Sequence, residues 1–504
     1  MSDPKQAEFS SWRAFLWPIH GKEMIKFVPM AMIMLSVLFN YTVVRSLKDA
    51  LVISAPGSGA EVISFLKSWV VFPASILFVL AYAKLSNILS RQALYYSCLV
   101  PFIAFFALFA WGIYPNKDIL HPSHEAILGL QTSMPYMKWF FPIYGLWSYS
   151  LFYVMAELWG NVGTNLLFWQ FANQITPTTE AKRFYPMVAV IGNIALILAG
   201  EAMTHYTTPP VGVSPQAFFP TALQNLIFWV VLSGTLIGVV YYWMNAYLMK
   251  QPGFYNDAAP QKGKKTAKPK MSIMESIRYL GSSKYLGYIA ILVLGYGMAI
   301  NLVEVTWKAK VSEAFPDTLG YTQFMGRLYS WLGPVTILIL YTTKGVVARF
   351  GWFKAAVATP VMLMLTGVSF FAFVLFQDQL TGPIALLGLT PLMAAVYAGM
   401  SQNVLGKGTK YALFDPTREM AYIPLDQEMK IKGKAAIDVV GGRLGKSGGG
   451  WIQMALLTSL GTAGTQMAIA PYLVILVIAV CFTWIWAVKK LSVEYNALVK
   501  EKGE

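Results

Sequence analysis

Long apolar stretches, separated by shorter polar segments, set the pattern of this chain. A helix needs about twenty apolar residues to cross the hydrocarbon core of a bilayer, and twelve stretches reach that length. An even number of crossings places both termini on one side of the membrane. The pattern therefore predicts an all-α polytopic membrane protein with twelve transmembrane helices. These helices are predicted near residues 27–50, 63–83, 92–114, 139–172, 184–205, 219–248, 285–311, 321–343, 352–377, 382–405, 434–459 and 467–488.

Composition narrows the class of protein further. Hydrophobic residues make up 56% of the 504 residues and charged residues only 12%, which is far from the balance of a soluble domain. The two cysteines, Cys98 and Cys481, lie in apolar runs and offer neither a disulfide framework nor a metal site. His121, His124 and Glu125 lack the helical spacing of a zinc motif. We therefore predict neither a metal nor another cofactor.

The basic residues are distributed unevenly between the two sides of the predicted helices. Of the 39 lysines and arginines, 29 lie on the side of the termini, and four lie in the opposite loops: Lys117, Lys138, Lys308 and Lys310. Because cytoplasmic loops are enriched in lysine and arginine, both termini are predicted to be cytoplasmic. The residues before the first helix do not have the composition of an organelle import leader. The 29 residues occupy the first part of the chain, its last residues, and the loops near 84–91, 182–183, 250–284, 344–354 and 407–434.

A basic segment divides the predicted helices into two sets of six. Residues 251–272 contain the run QKGKKTAKPK, a composition typical of a polar linker. The predicted organisation is an N-terminal six-helix half at 1–250, a basic cytoplasmic linker at 251–283, a C-terminal six-helix half at 284–490 and a cytoplasmic tail at 491–504.

The two halves also resemble each other in sequence. Ser68-Trp69 recurs as Ser330-Trp331, 262 residues later, and the polar segment 40–48 is echoed by 301–308. Two parallel repeats of six helices are the organisation of major-facilitator transporters, whose substrate lies between the halves near the membrane midplane. The sequence therefore predicts a major-facilitator-like fold.

Six basic residues remain after these two groups of loop residues are counted, and all six lie within predicted helices. An ionisable side chain there costs about 2.5–3.5 kcal/mol on insertion scales, so by default it is functional and faces the protein interior or a cavity. A structural ion pair is the alternative, because Arg45 and Asp49, like Glu304 and Lys308, are four residues apart and share a helix face. The six residues are Arg45, Lys48, Lys67, Arg327, Arg443 and Lys446.

An excess of cations within the helices indicates an anionic ligand. The tripeptide Gly445-Lys446-Ser447 looks like the end of a phosphate-binding loop, but Val440 stands in place of its first glycine and no strand precedes it. It is therefore not a Walker motif. Its glycines can bring backbone close to a ligand, or can simply serve helix packing.

Amide and carboxylate side chains accompany these cations. Glu157, Asn161 and Asn165 are spaced at i, i+4 and i+8, which places them on one stripe of a helix, and Asn301 with Glu304 makes a similar pair. Such groups can hydrogen-bond a base or a ribose, whereas lysine and arginine bind phosphates.

Five segments of the chain are characteristic of one known family: RSLKDALV (45–52), ELWGNVGTNLLFWQFANQIT (157–176), INLVEVTWKAK (300–310), KYALFDPTREMAYIPLDQEMKIKGKAAIDVV (410–440) and RLGKSGGG (443–450). They resemble the ATP/ADP translocases of plastids and obligate intracellular bacteria. That resemblance implies a major-facilitator-like fold, ATP and ADP as transported substrates, and functional charges at Lys48, Glu157, Glu304 and Lys446. Because no organelle import leader is evident, it also implies the bacterial branch and hence the bacterial inner membrane. The same family includes nucleoside-triphosphate importers and NAD carriers, so these remain alternatives.

The expected function is the exchange of external ATP for internal ADP by alternating access, in a monomer that binds no nucleic acid. Whether phosphate is transported together with the returning ADP is left open. A polytopic membrane enzyme is a rival class, but Asp415, Glu419, Asp426 and Glu428 form no repeated pair of metal-binding carboxylates. A channel is a weaker rival, because buried charges of both signs and a two-half repeat suit alternating access.

The balance of charge in the helices predicts exchange rather than one-way transport. Seven basic residues, the six above and Lys308, stand against Asp49, Glu157, Glu304 and Asp438, which is a surplus of three positive charges. Closing an empty cavity around unpaired cations is costly, whereas a bound nucleotide would satisfy them. The candidate substrate-binding residues are Lys48, Lys446, Arg443, Arg45, Glu157, Asn161, Asn301, Glu304, Lys67, Arg327 and Asp438.

Overall fold

A computed structural model describes residues 10–250, 281, 283–343 and 346–502. The predicted linker at 251–283 therefore lies almost wholly outside the described residues. The side chains of some residues within these ranges are outside the description too, among them those of Asp438, Arg443 and Lys446.

Twelve long helical segments account for most of the described residues, and those residues contain no strand. They are numbered α1 to α12 in chain order, with six on each side of the linker. The first six are α1 Met24–Ile53, α2 Glu61–Ile88, α3 Arg91–Leu120, α4 147–175, α5 Thr178–Tyr206 and α6 Pro215–Ala246. The last six are α7 Lys284–Ala314, α8 Thr318–Thr342, α9 Trp352–Leu375, α10 391–421, α11 Gln427–Ser459 and α12 Gln466–Lys502.

Polar residues between the apolar stretches fix where many of these helices begin. A hydroxyl or carboxylate at the residue before the helix accepts a hydrogen bond from a backbone N–H that the first turn leaves unpaired. Seven of the twelve segments start in this way within the described residues. The capping residues are Ser90, Ser214, Ser283, Asp317, Thr390, Asp426 and Thr465.

Four of the segments contain a π-helical turn among their described residues. The turns are Leu66–Val71 in α2, Phe109–Ile113 in α3, Val162–Trp169 in α4 and Lys410–Phe414 in α10. A π-helical turn changes the phase of the side chains that follow it and is frequent at functional sites. The turn in α2 contains Lys67, and the turn in α10 begins at Lys410.

Eight of the described helices are long and apolar enough to cross a membrane. They are α1, α2, α3, α5, α6, α7, α9 and α12. The other four segments, α4, α8, α10 and α11, carry many of the glycines and polar residues that the sequence analysis selected, which lowers their hydropathy. The described residues thus contain twelve long helical segments, as predicted, and eight of them have both the length and the hydropathy of a membrane span.

The two halves pack against each other through α5 with α8, and through α2 with α11. Glycines allow the first of these contacts to be close. A Cβ atom on Gly200 of α5 would lie 2.5 Å from the backbone nitrogen of Ser330 and 2.6 Å from the carbonyl oxygen of Gly326 in α8. Small residues at a helix crossing let two backbones approach in this manner.

Contacts between the halves close the side of the molecule opposite the termini, which we call the far side. The Trp139 Nε1 atom, in the α3–α4 connection, donates to the Gly464 carbonyl between α11 and α12 at 2.8 Å. The Glu61 carboxylate at the start of α2 accepts from the Gln466 backbone N–H at 2.9 Å. Toward the terminus side, the stretch Phe72–Ile88 of α2 has no buried residue.

One predicted boundary differs from the structure. The loop predicted at 407–434 is largely helical, because α10 continues through Ala421 and α11 begins at Gln427. Basic residues were taken as loop markers there, whereas they lie in helices that extend beyond the apolar core. The helix α12 likewise continues to Lys502. The predicted domain limits, with the start of the tail at 491, stay a prediction.

Candidate functional site

The centre of the molecule holds a carboxylate between two lysines. The Asp49 Oδ1 atom lies 2.8 Å from Lys48 Nζ, and its Oδ2 atom lies 2.8 Å from Lys308 Nζ. The first contact is a hydrogen bond, whereas the second has ion-pair distance without hydrogen-bond geometry. Each of the three side chains is at most 2% exposed. Burial of these charges is tolerable only because they are paired.

A second carboxylate joins the two halves of the protein. The Glu304 Oε1 atom of α7 accepts from Arg45 Nη2 of α1 at 2.8 Å and lies 3.2 Å from Lys308 Nζ. In the N-terminal half, Glu157 Oε1 of α4 lies 3.0 Å from Lys48 Nζ. We call the connected set of Arg45, Lys48, Asp49, Glu157, Glu304 and Lys308 the charge cluster.

This arrangement corrects the pairing suggested by sequence spacing. The Glu304–Lys308 pair forms within its helix, but Arg45 pairs with Glu304 rather than with Asp49. Lys48, which has no partner in the two pairs suggested by spacing, has two carboxylate partners in the structure. Lys308 was also counted among loop residues, whereas it lies buried in α7. Spacing along one helix could not show that carboxylates on another helix lie closer.

An amide layer adjoins the charge cluster. The Lys67 Nζ atom of α2 donates to Asn301 Oδ1 of α7 at 2.7 Å, which is another contact between the halves. The Asn301 amide nitrogen donates to the Gly297 carbonyl, and the Asn301 carbonyl accepts from Gln453 Nε2, each at 3.0 Å. The prediction that Lys67 and Asn301 face the interior agrees with this geometry.

The polar stripe of α4 leads from the charge cluster to exposed surface. Glu157 retains 24% exposure of its side chain, whereas Asn161 and Asn165 are exposed. The glycines between them serve packing, since a Cβ atom on Gly160 would lie 2.4 Å from the Tyr41 ring. The stripe can therefore meet a ligand only at its exposed end and at Glu157.

Arg327 lies apart from these residues. Its side chain is exposed, on the same helical face as Trp331 and Leu338 of α8. Tyr329, two positions along, is buried and points into the protein. Successive α-helical residues are about 100° apart, so Arg327 and Tyr329 face nearly opposite directions.

The glycine-rich part of α11 packs tightly on α7. A Cβ atom on Gly297 would lie 2.9 Å from the carbonyl carbon of Gly445, and one on Gly449 would lie 2.9 Å from Asn301 Cβ. These glycines therefore act in helix packing, as the alternative reading of the motif supposed. The backbone of Arg443 and Lys446 belongs to the same helix, α11, while their side chains and that of Asp438 lie outside the described residues.

Sequence reasoning missed several residues of the interior. Tyr153 of α4 presents its ring 3.7 Å from Lys48 Nζ, a cation–π contact. Lys407 and Lys410 were assigned to a loop, although Lys407 lies in the last turn of the α-helical part of α10 and Lys410 starts its π-helical turn. The signal that could have found them was the small-residue run before them, which is typical of packed membrane helices. In the described part of the chain no group of three potential metal ligands occurs.

Comparison with protein families identifies the chain as a whole. The model of the TLC ATP/ADP transporter family matches residues 2–495. ADP,ATP carrier protein 1 of Chlamydia pneumoniae is 46% identical over 497 residues, covering 98% of this chain and 95% of the relative. ADP,ATP carrier protein 1 of Rickettsia bellii is 42% identical, with 99% of both chains covered. A chloroplastic ADP,ATP carrier protein 2 of Arabidopsis thaliana is 43% identical over 95% of this chain and 76% of its own length.

Solved structures with low sequence identity share the fold. A bacterial homologue of the iron transporter ferroportin, in an inward-facing state, has a TM-score of 0.56 at 16% identity, covering 94% of this chain and 100% of its own. The nucleoside transporter NupG has a TM-score of 0.53 at 12% identity, covering 92% and 99%. These similarities confirm the predicted major-facilitator-like fold, and the family match excludes the enzyme alternative. The chain belongs to the TLC ATP/ADP transporter family.

Proposed function

We propose that this protein exchanges external ATP for internal ADP across a bacterial inner membrane by alternating access. The observation that carries the proposal is the pair of ionic contacts between the halves, Arg45–Glu304 and Lys308–Asp49. Membership of the family and the names of the relatives support adenine nucleotides as substrates. Alternating access requires the halves to separate and rejoin around the substrate, and these contacts lie where that must happen.

The chemistry of the site suits a nucleotide. Phosphates are bound by lysine and arginine through charge-assisted hydrogen bonds, and Arg45, Lys48 and Lys67 supply such donors on the N-terminal half. Lys446 is added by its family motif as the phosphate-binding lysine of the other half. The amides of Asn161 and Asn301 are the candidates for hydrogen bonds to the base or ribose.

The ion pairs of the charge cluster give a different reason for exchange from the surplus of positive charge that the sequence suggested. The described carboxylates neutralise Arg45, Lys48 and Lys308, so in the empty state these cations are paired rather than exposed to a dry cavity. The ion pairs instead hold the two halves together without substrate. Phosphates compete for the same cations and weaken the contacts between halves, so the loaded carrier changes conformation more readily than the empty one.

The difference in charge between ATP and ADP bears on whether phosphate is transported with ADP. ATP carries about one more negative charge than ADP at neutral pH, so strict exchange moves net charge across the membrane. Cotransport of phosphate with ADP would remove that difference. We include it in the proposal as the third substrate, to be tested by adding labelled phosphate to the internal solution.

A second candidate function is broader transport within the same family. Lysine and arginine recognise phosphates rather than a base, so a nucleotide with another base, or NAD, presents similar groups to the cluster. The names of the relatives favour ADP and ATP over these alternatives.

The proposal also covers placement in the membrane. Both termini and the 251–283 linker are proposed to be cytoplasmic, from the distribution of basic residues. On that assignment the far side faces outward, and the Trp139–Gly464 contact closes the outer side. We propose that the functional unit is a monomer, since the site lies between two halves of one chain.

Flux measured in proteoliposomes tests the function. Vesicles loaded with ADP should take up labelled ATP in a saturable manner, and vesicles loaded with buffer should not. Labelled GTP, CTP and NAD, each offered in place of labelled ATP, measure the range of substrates that the vesicles take up. Product formation without uptake would contradict transport, and faster uptake of another nucleotide would favour the broader function.

A further inference from the structure

Lys407 of α10 is a cation without a carboxylate partner among the described residues. Its Nζ atom lies 5.7 Å from the centroid of the Tyr329 ring, a cation–π contact. Lys410, three positions along, differs because it is paired with Asp415 at 2.8 Å. Lys407 is half-buried, so it is not fully solvated, and no described carboxylate forms an ion pair with it. A cation in this state within a membrane protein has a functional role by default.

The packing of α10 against α7 fixes the depth of Lys407. A Cβ atom on Gly399 would lie 2.0 Å from the Trp307 ring, and one on Gly406 would lie 3.5 Å from Ile300 Cδ1. The two helices are therefore antiparallel, and Lys407 lies at about the level of Ile300. Glu304 is four residues further, or about one helical turn toward the far side. Lys407 thus sits just to the terminus side of the charge cluster.

Lys407 belongs to the electrostatic environment of the cluster. The charges that act on the Glu304 carboxylate include those of Lys67 and Lys407 as well as its two ion-pair partners. Lys67 comes from the N-terminal half and Lys407 from the C-terminal half. Among the described residues, the contacts of Lys67 and Lys407 are with neutral groups, an amide and an aromatic ring respectively. The two lysines therefore add positive charge, from different halves, to the surroundings of one carboxylate.

We propose that Lys407 binds a phosphate group of the transported nucleotide, opposite Lys67, when the site is open to the terminus side. This inference rests on the proposed function and deepens it. An incoming phosphate can bond to Lys407 without displacing a carboxylate, because only the Tyr329 ring is given up. A charge-assisted hydrogen bond is stronger than a cation–π contact at this distance. Lys407 and Lys67 would hold the phosphates first, and the paired cations of the cluster would follow.

Binding of ATP and of pyrophosphate to the purified protein tests the proposal. Pyrophosphate carries linked phosphates without a base, so it reports on phosphate contacts alone. In Lys407→Gln, both affinities should fall by about tenfold relative to the parent, the size expected for one charge-assisted contact. Lys354→Gln is the matched control, because Lys354 is an exposed lysine of the same half and its loss should leave both affinities unchanged.

Three results would overturn the inference: parental ATP affinity in Lys407→Gln, weaker ATP binding with unchanged pyrophosphate binding, or equal losses in the Lys354→Gln control. If Lys407→Gln does not reach the membrane, Lys407→Arg decides by the same criterion, with a smaller loss expected because charge is kept and geometry changes. Should the parent bind ATP but not pyrophosphate, the ATP titration alone decides. Failure of the parent to exchange ATP for ADP in vesicles would contradict the proposed function instead.

Discussion

The Arg45 guanidinium of the N-terminal half lies 2.8 Å from the Glu304 carboxylate of the C-terminal half. Glu304 also contacts Lys308, which in turn lies 2.8 Å from Asp49 across the same boundary. Any motion that separates the halves at this level must therefore exchange or break ion pairs. The same cations attract phosphate, so binding of substrate and separation of the halves share one set of side chains.

Neutralising Glu304 is expected to impair exchange. Glu304→Gln leaves Arg45 and Lys308 with one carboxylate fewer, and breaking a buried pair in this way costs about 3–5 kcal/mol. We expect the rate of ATP/ADP exchange to fall at least tenfold while the protein remains in the membrane. The measurement is uptake of labelled ATP into ADP-loaded vesicles, normalised to the amount of protein. Parental exchange in Glu304→Gln would mean that the pair is only structural.

Glu157 is expected to act through Lys48. Its carboxylate lies 3.0 Å from Lys48 Nζ and is partly exposed, so it can contact both the cluster and a ligand. Glu157→Gln should lower exchange, whereas Glu125→Gln, in the short helix of the α3–α4 connection, should not. Both variants are compared in the same uptake assay, with a membrane fraction to confirm insertion. Equal rates for the two variants would remove Glu157 from the site.

Lys48 and Lys446 are expected to bind phosphates common to both substrates. Replacing either with Ala or Gln should weaken ATP and ADP alike, by about tenfold or more, because each loses a charge-assisted contact. Arginine should restore charge but not geometry, and hence only part of the affinity. Apparent affinities for each nucleotide, measured from saturation of exchange, check this. Parental exchange of ATP by Lys446→Ala would exclude that lysine from the phosphate site.

A disulfide between α2 and α11 should lock the two halves. The Ser68 Oγ atom lies 3.5 Å from the position of a Cβ atom on Gly450, a separation suited to paired cysteines. In a variant with Ser68→Cys and Gly450→Cys, oxidation should abolish exchange and reduction should restore it. Ser68→Cys alone is the control for the effect of the oxidant. Complete crosslinking with unchanged exchange would show that these helices do not separate during transport.

Much of the fold could be predicted from the sequence, because hydrophobic length and charge asymmetry act locally. The extent of α10 could not, since Lys407 and Lys410 read as loop residues although they lie within the helical segment. For the site, the free-energy cost of placing a charge in a membrane helix correctly predicted that Arg45, Lys48 and Lys67 lie in the interior. It could not assign partners, because the Asp49–Lys308 contact joins residues on different helices. The exposure of Arg327 could not be predicted either, because the sequence does not give the phase of α8 relative to its neighbours.

The comparison of loaded with empty vesicles tests the central claim most directly, namely that ion pairs hold the empty carrier and nucleotide releases it. Labelled ATP is added outside proteoliposomes that contain ADP, ATP or buffer alone, at matched protein content. The account predicts rapid, saturable uptake with either nucleotide inside and little uptake into buffer-loaded vesicles. Equal rates of ATP uptake into ADP-loaded and buffer-loaded vesicles would contradict it.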